Sequence, residues 1–494
     1  NQCGGFKLDS GREVALSQLC AAGEYQWLGE QTGERVGRNL QEAGRCSFTR
    51  QTPKKKKSCY LAEATSYGWG GASEWIRPEG GAQCELTSLR VHSDRFRPVP
   101  SPGREFYEKA IKGLQSNYPQ SSLSRIPANT FSSREFCFAT LRPILVSILR
   151  NEVKGDSSPG CPLGIFGTSN ALVLESHFDF VVSCILERTW LLATSLLTGS
   201  ETPTDLVKRG FVDPVRVFIK DEPHKARKVR EGRLRLISSV SLVDQVIERL
   251  CFADQNFNEI LNFETIPSKP GMGLHDEGLQ IIFDNVNTFE RPVEADVSAW
   301  DWSVQEWQLQ MDVEFRIWAY GISPDSVRAN LFRNRIACLS KTLFCTSDGK
   351  LYSQLAPGIQ LSGSYNTSST NSRIRVLTAY GLGVPKIIAM GDDSIEEFCD
   401  GAYEGYTLCG HDMKMYTEVG KERFEFCSTK FDGSWKGYPT NADKMFFKLL
   451  SHSESLTGIE RCLLYQQWRY EMRYHPRRDE YIDIITKGTS FLAW

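Results

Sequence analysis

The chain has 494 residues, 40% of them hydrophobic and 24% charged, with a formal net charge of -2; the length excludes one simple core and suggests about three domain-sized pieces, and the composition excludes wholesale disorder. The near-neutral total says nothing about partners, but its distribution does: ten Lys/Arg stand against four Asp/Glu between Val207 and Arg235, compatible with nucleic acid held in a channel while acids are reserved for metal. The 15 Cys form no Cys-x-x-Cys pair, which favours reduced cytosolic thiols over a disulfide frame or structural zinc, and the most apolar stretch, Trp190 to Leu197, is broken by Thr and Ser and too short to span a membrane.

Residues 1–100 are rich in Gly, Gln, Glu and Arg and read as an extension with some helix near Val14 to Leu28, much loop, and a Trp-bearing patch at Tyr67-Gly68-Trp69-Gly70-Gly71. The Lys54 to Lys57 run reads as a solvated face. The first residue is Asn1 rather than Met, compatible with a polyprotein fragment, a processed product or a trimmed chain. Helical periodicity follows in Phe106 to Leu114 and Phe136 to Ile148. Next comes Asp156-Ser157-Ser158-Pro159-Gly160-Cys161-Pro162, either a plain connector or a loop whose hydroxyls and amides face a phosphate. His177 to Leu197 reads as one long buried helix.

Val215 to Ile219 reads as a strand, Leu236-Ile237 as its partner, and the loop between them carries Lys225, Arg227, Lys228, Arg230 and Arg233. Such a hairpin arm, its tip expected to carry only positive charge, suits a polyphosphate or an RNA backbone better than open solvent. An amphipathic helix is predicted over Asp244 to Phe252, and Lys269 to Gly273 is an uninformative glycine loop.

In Val293-Glu294-Ala295-Asp296-Val297-Ser298-Ala299-Trp300-Asp301-Trp302-Ser303 an apolar strand ends at an acid before a predicted helix over Glu306 to Ala319. Asp296 can share a metal there, and Asp301, read alone, is an N-cap. From Gly358 to Arg373 a glycine loop opens a helix in which Ser362, Thr367 and Asn371 carry small polar groups; Thr367 and Asn371, four apart, share a face that is polar where packing would want it apolar. A protease-like reading of Ser362 lacks any His and Asp in a nucleophile context.

The run Val384 to Ala389, then Met390-Gly391-Asp392-Asp393, then Ser394-Ile395 reads as a hairpin with two carboxylates at its tip. Adjacent acids repel unless a cation sits between them, although Gly-Asp-Asp is also ordinary turn chemistry. Downstream, Gly410-His411-Asp412-Met413-Lys414 follows, Phe424 to Lys430 reads as a short strand with a polar tip, and the residues after Gly433 are mainly helical with aromatic and basic residues interleaved, a mixture that suits either an RNA exit path or an ordinary surface.

Asp296/Asp301, Ser362-Gly363/Thr367/Asn371 and Gly391-Asp392-Asp393, in that order and spacing, resemble the three palm motifs of viral RNA-dependent RNA polymerases. Lys220-Asp221-Glu222 through Arg233-Leu234-Arg235-Leu236-Ile237 is similar to that family's fingers motif over the incoming triphosphate, Ser157-Ser158 with Gly160 and Pro162 to its template-entry loop, and Phe426-Cys427-Ser428 to its primer grip. The wording around Asp296 most resembles sobemovirus and polerovirus replicases of positive-strand RNA plant viruses. The resemblance implies an α/β (α+β) right hand with fingers, a palm of antiparallel sheet plus helices with an RRM-like core, and a small helical thumb. It assigns 101–289 mainly to fingers with some palm helix, 290–429 to palm with a fingers insertion near 330–356, 430–494 to thumb, and leaves 1–100 as an extension that can contribute to the fingers.

The roles it implies are Mg²⁺ (or Mn²⁺) held by Asp296, Asp392 and Asp393, proton donation by Lys414, NTP phosphates met by Lys220, Lys228, Arg233 and Arg235, and ribose selection by a hydrogen-bonded set of Asp301, Ser362, Thr367 and Asn371. Template and primer would meet Ser157, Ser158, Gly160, Gly363, Phe426, Cys427 and Ser428. Implied partners are single-stranded RNA template and nascent RNA, NTPs, a genome-linked viral protein (VPg) and other replicase proteins, in the host-cell cytoplasm within membrane-associated replication complexes, host membranes being met only indirectly and without a transmembrane segment of the chain's own. The rival readings are a reverse transcriptase, against which Asp301, Asn371 and the Gly before the acid pair stand, and a non-catalytic single-stranded RNA-binding protein.

Overall fold

Pro292–Val297 alternates apolar and acidic side chains, and the strand it forms buries Val293, Ala295 and Val297 while Glu294 and Asp296 take the more open face. In the computed structural model, which describes residues 14–47, 58–452 and 455–493, this strand is central to a four-stranded antiparallel sheet in the order Ile387–Met390, Asp393–Glu397, Pro292–Val297, Met413–Glu418. The Lys54–Lys57 run lies outside the described residues. Helix Thr367–Gly381 packs against Arg104–Gln115 at close range: a Cβ on Gly381 would stand 2.5 Å from the Phe106 ring, and one on Gly113 2.7 Å from the Tyr380 ring.

A second, six-stranded sheet runs in the order Gln26–Trp27, Leu40–Arg45, Lys350–Gln354, Leu343–Cys345, Val215–Ile219, Leu236–Ser239. Its neighbours are antiparallel except Val215–Ile219 against Leu343–Cys345, which are parallel. The extension therefore contributes to this sheet from residues 26–45, and it is less loop-rich than expected, forming helices at Val14–Ala22, Cys59–Tyr67 and Ala82–Arg95. Its middle part goes elsewhere. Tyr60, Ala64 and Trp69 share one buried cluster with Phe446, Trp468, Tyr481 and Ile485 of the C-terminal helices Ala442–Leu450, Gly458–Glu471 and Arg478–Gly488.

The helix expected over His177–Leu197 starts earlier, spanning Asn170–Thr194 with a break in helical geometry at His177. The helix expected over Asp244–Phe252 extends over Leu242–Leu261, and its polar side faces inward. There Asp244 meets Arg188 at 3.1 Å, Glu248 meets Arg335 at 2.9 Å, and Glu259 meets Arg373 at 2.5 Å, with all six side chains 0–1% exposed. Charges so deeply buried persist only when paired and hydrogen-bonded, so these helices are fixed in place by specific partners as well as by packing. No helix among the described residues is long and apolar enough to cross a membrane.

Candidate active site

The hairpin expected at Gly391-Asp392-Asp393 is present: Met390 pairs with Asp393, and Gly391 takes φ 60° to make the two-residue turn. Ser372 fixes the turn by accepting the Gly391 N–H at 2.8 Å. The next strand pairs Ile395 with Glu294; two residues further along the same register, Asp393 comes opposite Asp296, so acids far apart in sequence meet at one end of the sheet. Burial, then the charges of Asp392 and Asp296, push the Asp393 carboxyl up to about 7. Asp392 is reached by solvent yet hemmed by surrounding chain, and burial together with Asp296 raises it too.

Met413 lies opposite Val297 and Met415 opposite Asp296, which makes Lys414 the extra residue of a β-bulge. The bulge re-aims its side chain, and its Nζ stands 4.0 Å from Asp296 Oδ2. On the other side, the expected short strand is a hairpin, Arg423–Phe426 with Thr429–Asp432, and Cys427 and Ser428 at its tip take φ 51° and 54°. The Cys427 thiol donates to Met390 O at 4.0 Å, at the foot of the acid turn.

Asp301 is not an N-cap. It sits in a 3₁₀ turn, Trp300–Trp302, entered through Ala299 at φ 47°, and the following helix is capped by Gln305. Its Oδ1 instead accepts from Asn371 Nδ2 at 2.7 Å, while burial and Asp392 push its carboxyl up to about 6. The other two members of the expected set bond elsewhere. Ser362 accepts from the Ser238 N–H at 3.2 Å and donates to Leu236 O, and the single Thr367 hydroxyl proton is within reach of the carbonyls of Leu361, Ser362 and Ser364, that of Leu361 nearest at 2.7 Å. Both lock the loop before helix Thr367–Gly381, whose Gly363 lies so close to the neighbouring strand that a Cβ would stand 1.9 Å from Ser238 O.

The basic arm forms as expected, with Ile219 paired to Leu236, but its tip is not purely positive. Glu231 pairs with Arg227 at 2.7 Å and with Arg233, because a loop this basic otherwise pays for its own repulsion. Glu222 holds Arg235 at 2.9 Å, Lys220 at 3.5 Å and, from the C-terminal helices, Lys444 at 3.6 Å. Lys228 makes no ion pair among the described residues, and burial plus Arg233, Arg235, Lys225 and Lys414 lower its pKa. Arg235 acts on Asp301 and Asp392 in turn, so the arm and the acids face one space. Ser157, Ser158 and Gly160 lie in a turn where Ser158 Oγ accepts the Gly160 N–H at 3.2 Å and Gly160, at φ 74°, abuts Ser241.

His224 staples the arm. Its Nε2 accepts the Arg235 N–H at 3.1 Å, so its Nδ1 must donate to Glu222 O at 2.9 Å, which requires the neutral ring. Burial lowers its pKa. The unfolded chain therefore takes up this proton first as pH falls below about 6.5, and the stability His224 contributes, complete above that pH, is lost toward the folded-state pKa. The denaturation midpoint of His224→Gln should fall less between pH 7.5 and pH 5.5 than that of the parent; equal acid sensitivity would remove the staple.

Carboxylates raised by burial and mutual charge are suited to a hard divalent cation, which would relieve both. Among the described residues no three carboxylate, thiol or imidazole groups are gathered into a ready-made cage. Mg²⁺ takes hard oxygen donors, one or two carboxylates beside water and substrate phosphates, and the carboxylates of Asp296, Asp392 and Asp393 are donors of that kind.

The chain belongs to the viral RNA-directed RNA polymerase family, whose profile matches residues 54–457. It is 38% identical over 470 residues to the replicase polyprotein P2AB of Southern cowpea mosaic virus, covering 92% of this chain and 48% of that protein. It is 36% identical over 369 residues to the RNA-directed RNA polymerase of Mushroom bacilliform virus, covering 70% of this chain and 86% of that one. The chain thus spans about half the length of the first of these relatives. In fold it is similar to the crystal structure of the RNA-dependent RNA polymerase of a human picorbirnavirus, with a TM-score of 0.57 at 12% identity over 83% of this chain and 75% of that chain. The fold is a right-hand polymerase fold of mixed α/β content, and dependence on a divalent metal is general to the family. The reverse transcriptase and the non-catalytic RNA-binding readings gain no support.

Sequence reasoning missed Lys444, which carries no motif and meets Glu222 only through the fold, and it gave no role to Trp300 or His411, both inside stretches it had singled out.

Proposed function

We propose that this chain copies single-stranded viral RNA, adding NTPs to an RNA 3′-hydroxyl with release of pyrophosphate. The observation that carries the reading is the confrontation of two incompletely neutralised charge sets across one space: Asp296, Asp392 and Asp393 on the sheet, and Lys228, Arg235 and Lys414 around them. Asp296 and Asp392 would hold two Mg²⁺ ions with Asp393 in support; when bound, these supply Lewis-acid activation of the hydroxyl and neutralise phosphate charge.

The chain's own residues do the rest. Lys220, Lys228 and Arg235 bind the triphosphate, with Glu222 holding Arg235 and Lys220 ready until phosphate replaces it. Arg233, turned to Glu231, joins them only by exchanging that partner. Lys414, bulged beside Asp296, protonates pyrophosphate. Asn371, held by Asp301, reads the ribose 2′-hydroxyl, because a site built to bond a hydroxyl penalises its absence. The loop at Ser157–Gly160 guides template, and Phe426–Ser428 supports the primer end against the acids. On this reading residues 101–289 are mainly fingers, 290–429 palm and 430–494 thumb, and the partners include a genome-linked protein and other replicase proteins in cytoplasmic replication complexes.

A template-extension assay in Mg²⁺, with and without primer, tests the reading. NTP incorporation with little from dNTPs is expected, and equal use of both would favour reverse transcription instead. In the same assay Arg235→Ala should raise the apparent KM for NTPs roughly tenfold, the worth of one charge-assisted bond. An unchanged KM would place the arm away from the triphosphate.

A further inference from the structure

Trp300 is 1% exposed, and a large ring at such a position needs no explanation beyond packing. Its polar atom is harder to dismiss: the indole Nε1–H donates to Asn371 Oδ1 at 3.1 Å. Asn371 is thereby held from both ends. An indole only donates and a carboxylate only accepts, so Trp300 takes the amide oxygen while Asp301 takes the amide nitrogen. The second N–H of that amide has no partner among the described residues.

The ring itself is fixed. His411 stacks on it at a centroid distance of 4.3 Å and 25°. Gln308 donates to His411 Nε2 at 2.9 Å, so the ring's Nδ1–H must donate to Ser303 Oγ at 2.8 Å, and Ser303 Oγ donates on to Trp300 O at 2.9 Å. Gln308 cannot turn over, because its Oε1 accepts the Gln305 N–H at 2.8 Å. A buried network this fully satisfied specifies one arrangement and resists rotation.

We propose that Trp300 is a positioning residue for sugar choice: its indole N–H fixes which way round the Asn371 amide sits, so that the incoming nucleotide meets an N–H donor and not a carbonyl. This rests on the reading of Asn371 as the ribose contact. Without the indole N–H, Asn371 Oδ1 is left buried and unpaired and Asp301 alone holds the amide, so the amide turns at less cost toward another donor, the substrate's own hydroxyl included. The penalty for a missing 2′-hydroxyl then shrinks.

The test is primed extension by the full chain with a matched NTP and dNTP, on Trp300→Phe and Asn371→Ala, with primer-template affinity measured in parallel. Trp300→Phe should lower the NTP/dNTP efficiency ratio roughly tenfold, the scale of one unsatisfied buried acceptor, with RNA affinity unchanged. A ring that serves only packing would lower both substrates alike, and an unmoved ratio in Trp300→Phe beside a lowered one in Asn371→Ala overturns the proposal while sparing the Asn371 reading. An unmoved ratio in Asn371→Ala overturns both. Should Trp300→Phe fail to fold, 3-benzothienylalanine at position 300 keeps the ring shape and removes only the N–H, and the same two outcomes decide.

Discussion

Asp392→Ala should abolish nucleotide incorporation, lowering it at least about 10³-fold, because removing a carboxylate proposed to hold the catalytic cation would forfeit several kcal/mol of transition-state stabilisation. RNA affinity should stay near that of the parent, since the cations that would meet phosphate lie on the arm and not on the turn. The turn itself should survive: Asp392 is solvent-reached at the hairpin tip, and the pairing of Met390 with Asp393 and the Ser372 bond to Gly391 do not involve its side chain. Asp392→Asn, which keeps the shape and removes the charge, should be as inactive. Filter binding and single-nucleotide extension on the same preparation separate the effects. Incorporation that persists in both variants would remove Asp392 from the cation site.

What the sequence made legible here were features with local signatures. Asp392 and Asp393 announce themselves because Gly391 and the flanking β-branched residues can only make a tight hairpin, and helix Glu306–Ala319 has the bounds its apolar spacing predicts. Asp301 taken alone looks like a cap because capping is local, whereas its bond to Asn371 reaches 70 residues away and is legible in the sequence only through the family resemblance. Thr367 is grouped with Asn371 by helical spacing and Ser362 only by the resemblance; the helix begins at Thr367, so Ser362 lies in a loop whose hydrogen bonds follow the neighbouring strand. The extension was opaque for a related reason. Strands of two residues, Gln26–Trp27 and Trp75–Ile76, carry no readable period, and the second pairs with His224 and Lys225, far along the chain.

Trp69→Ala should detach the C-terminal helices. Trp69 is 6% exposed and meets Phe446 edge-on at 4.9 Å, and truncating a buried Trp costs about 3–5 kcal/mol. The loss falls on a small cluster whose other holds on the extension include the Tyr60–Phe491 ring contact and hydrogen bonds from Ser58 Oγ to Leu450 O at 2.6 Å, Tyr67 OH to Asp483 at 3.0 Å, Arg77 Nε to Ser451 Oγ at 2.5 Å and Ser490 N–H to Glu63 at 2.6 Å. Just beyond Trp69 the same segment reaches the basic arm, where Trp75 and Ile76 pair with Lys225 and His224, and Arg77 meets Asp221 at 2.9 Å. Residues 58–77 therefore couple two things that no single motif joins, the packing of the C-terminal helices and the position of the arm that would meet the triphosphate. Hydrogen exchange should consequently rise in 442–488 and in 220–235 together, while the four-stranded sheet stays protected, and the apparent KM for NTPs should increase. Exchange confined to the C-terminal helices would mean that Lys444 and Glu222 do not transmit the disturbance, and that the arm holds its place through its own strands.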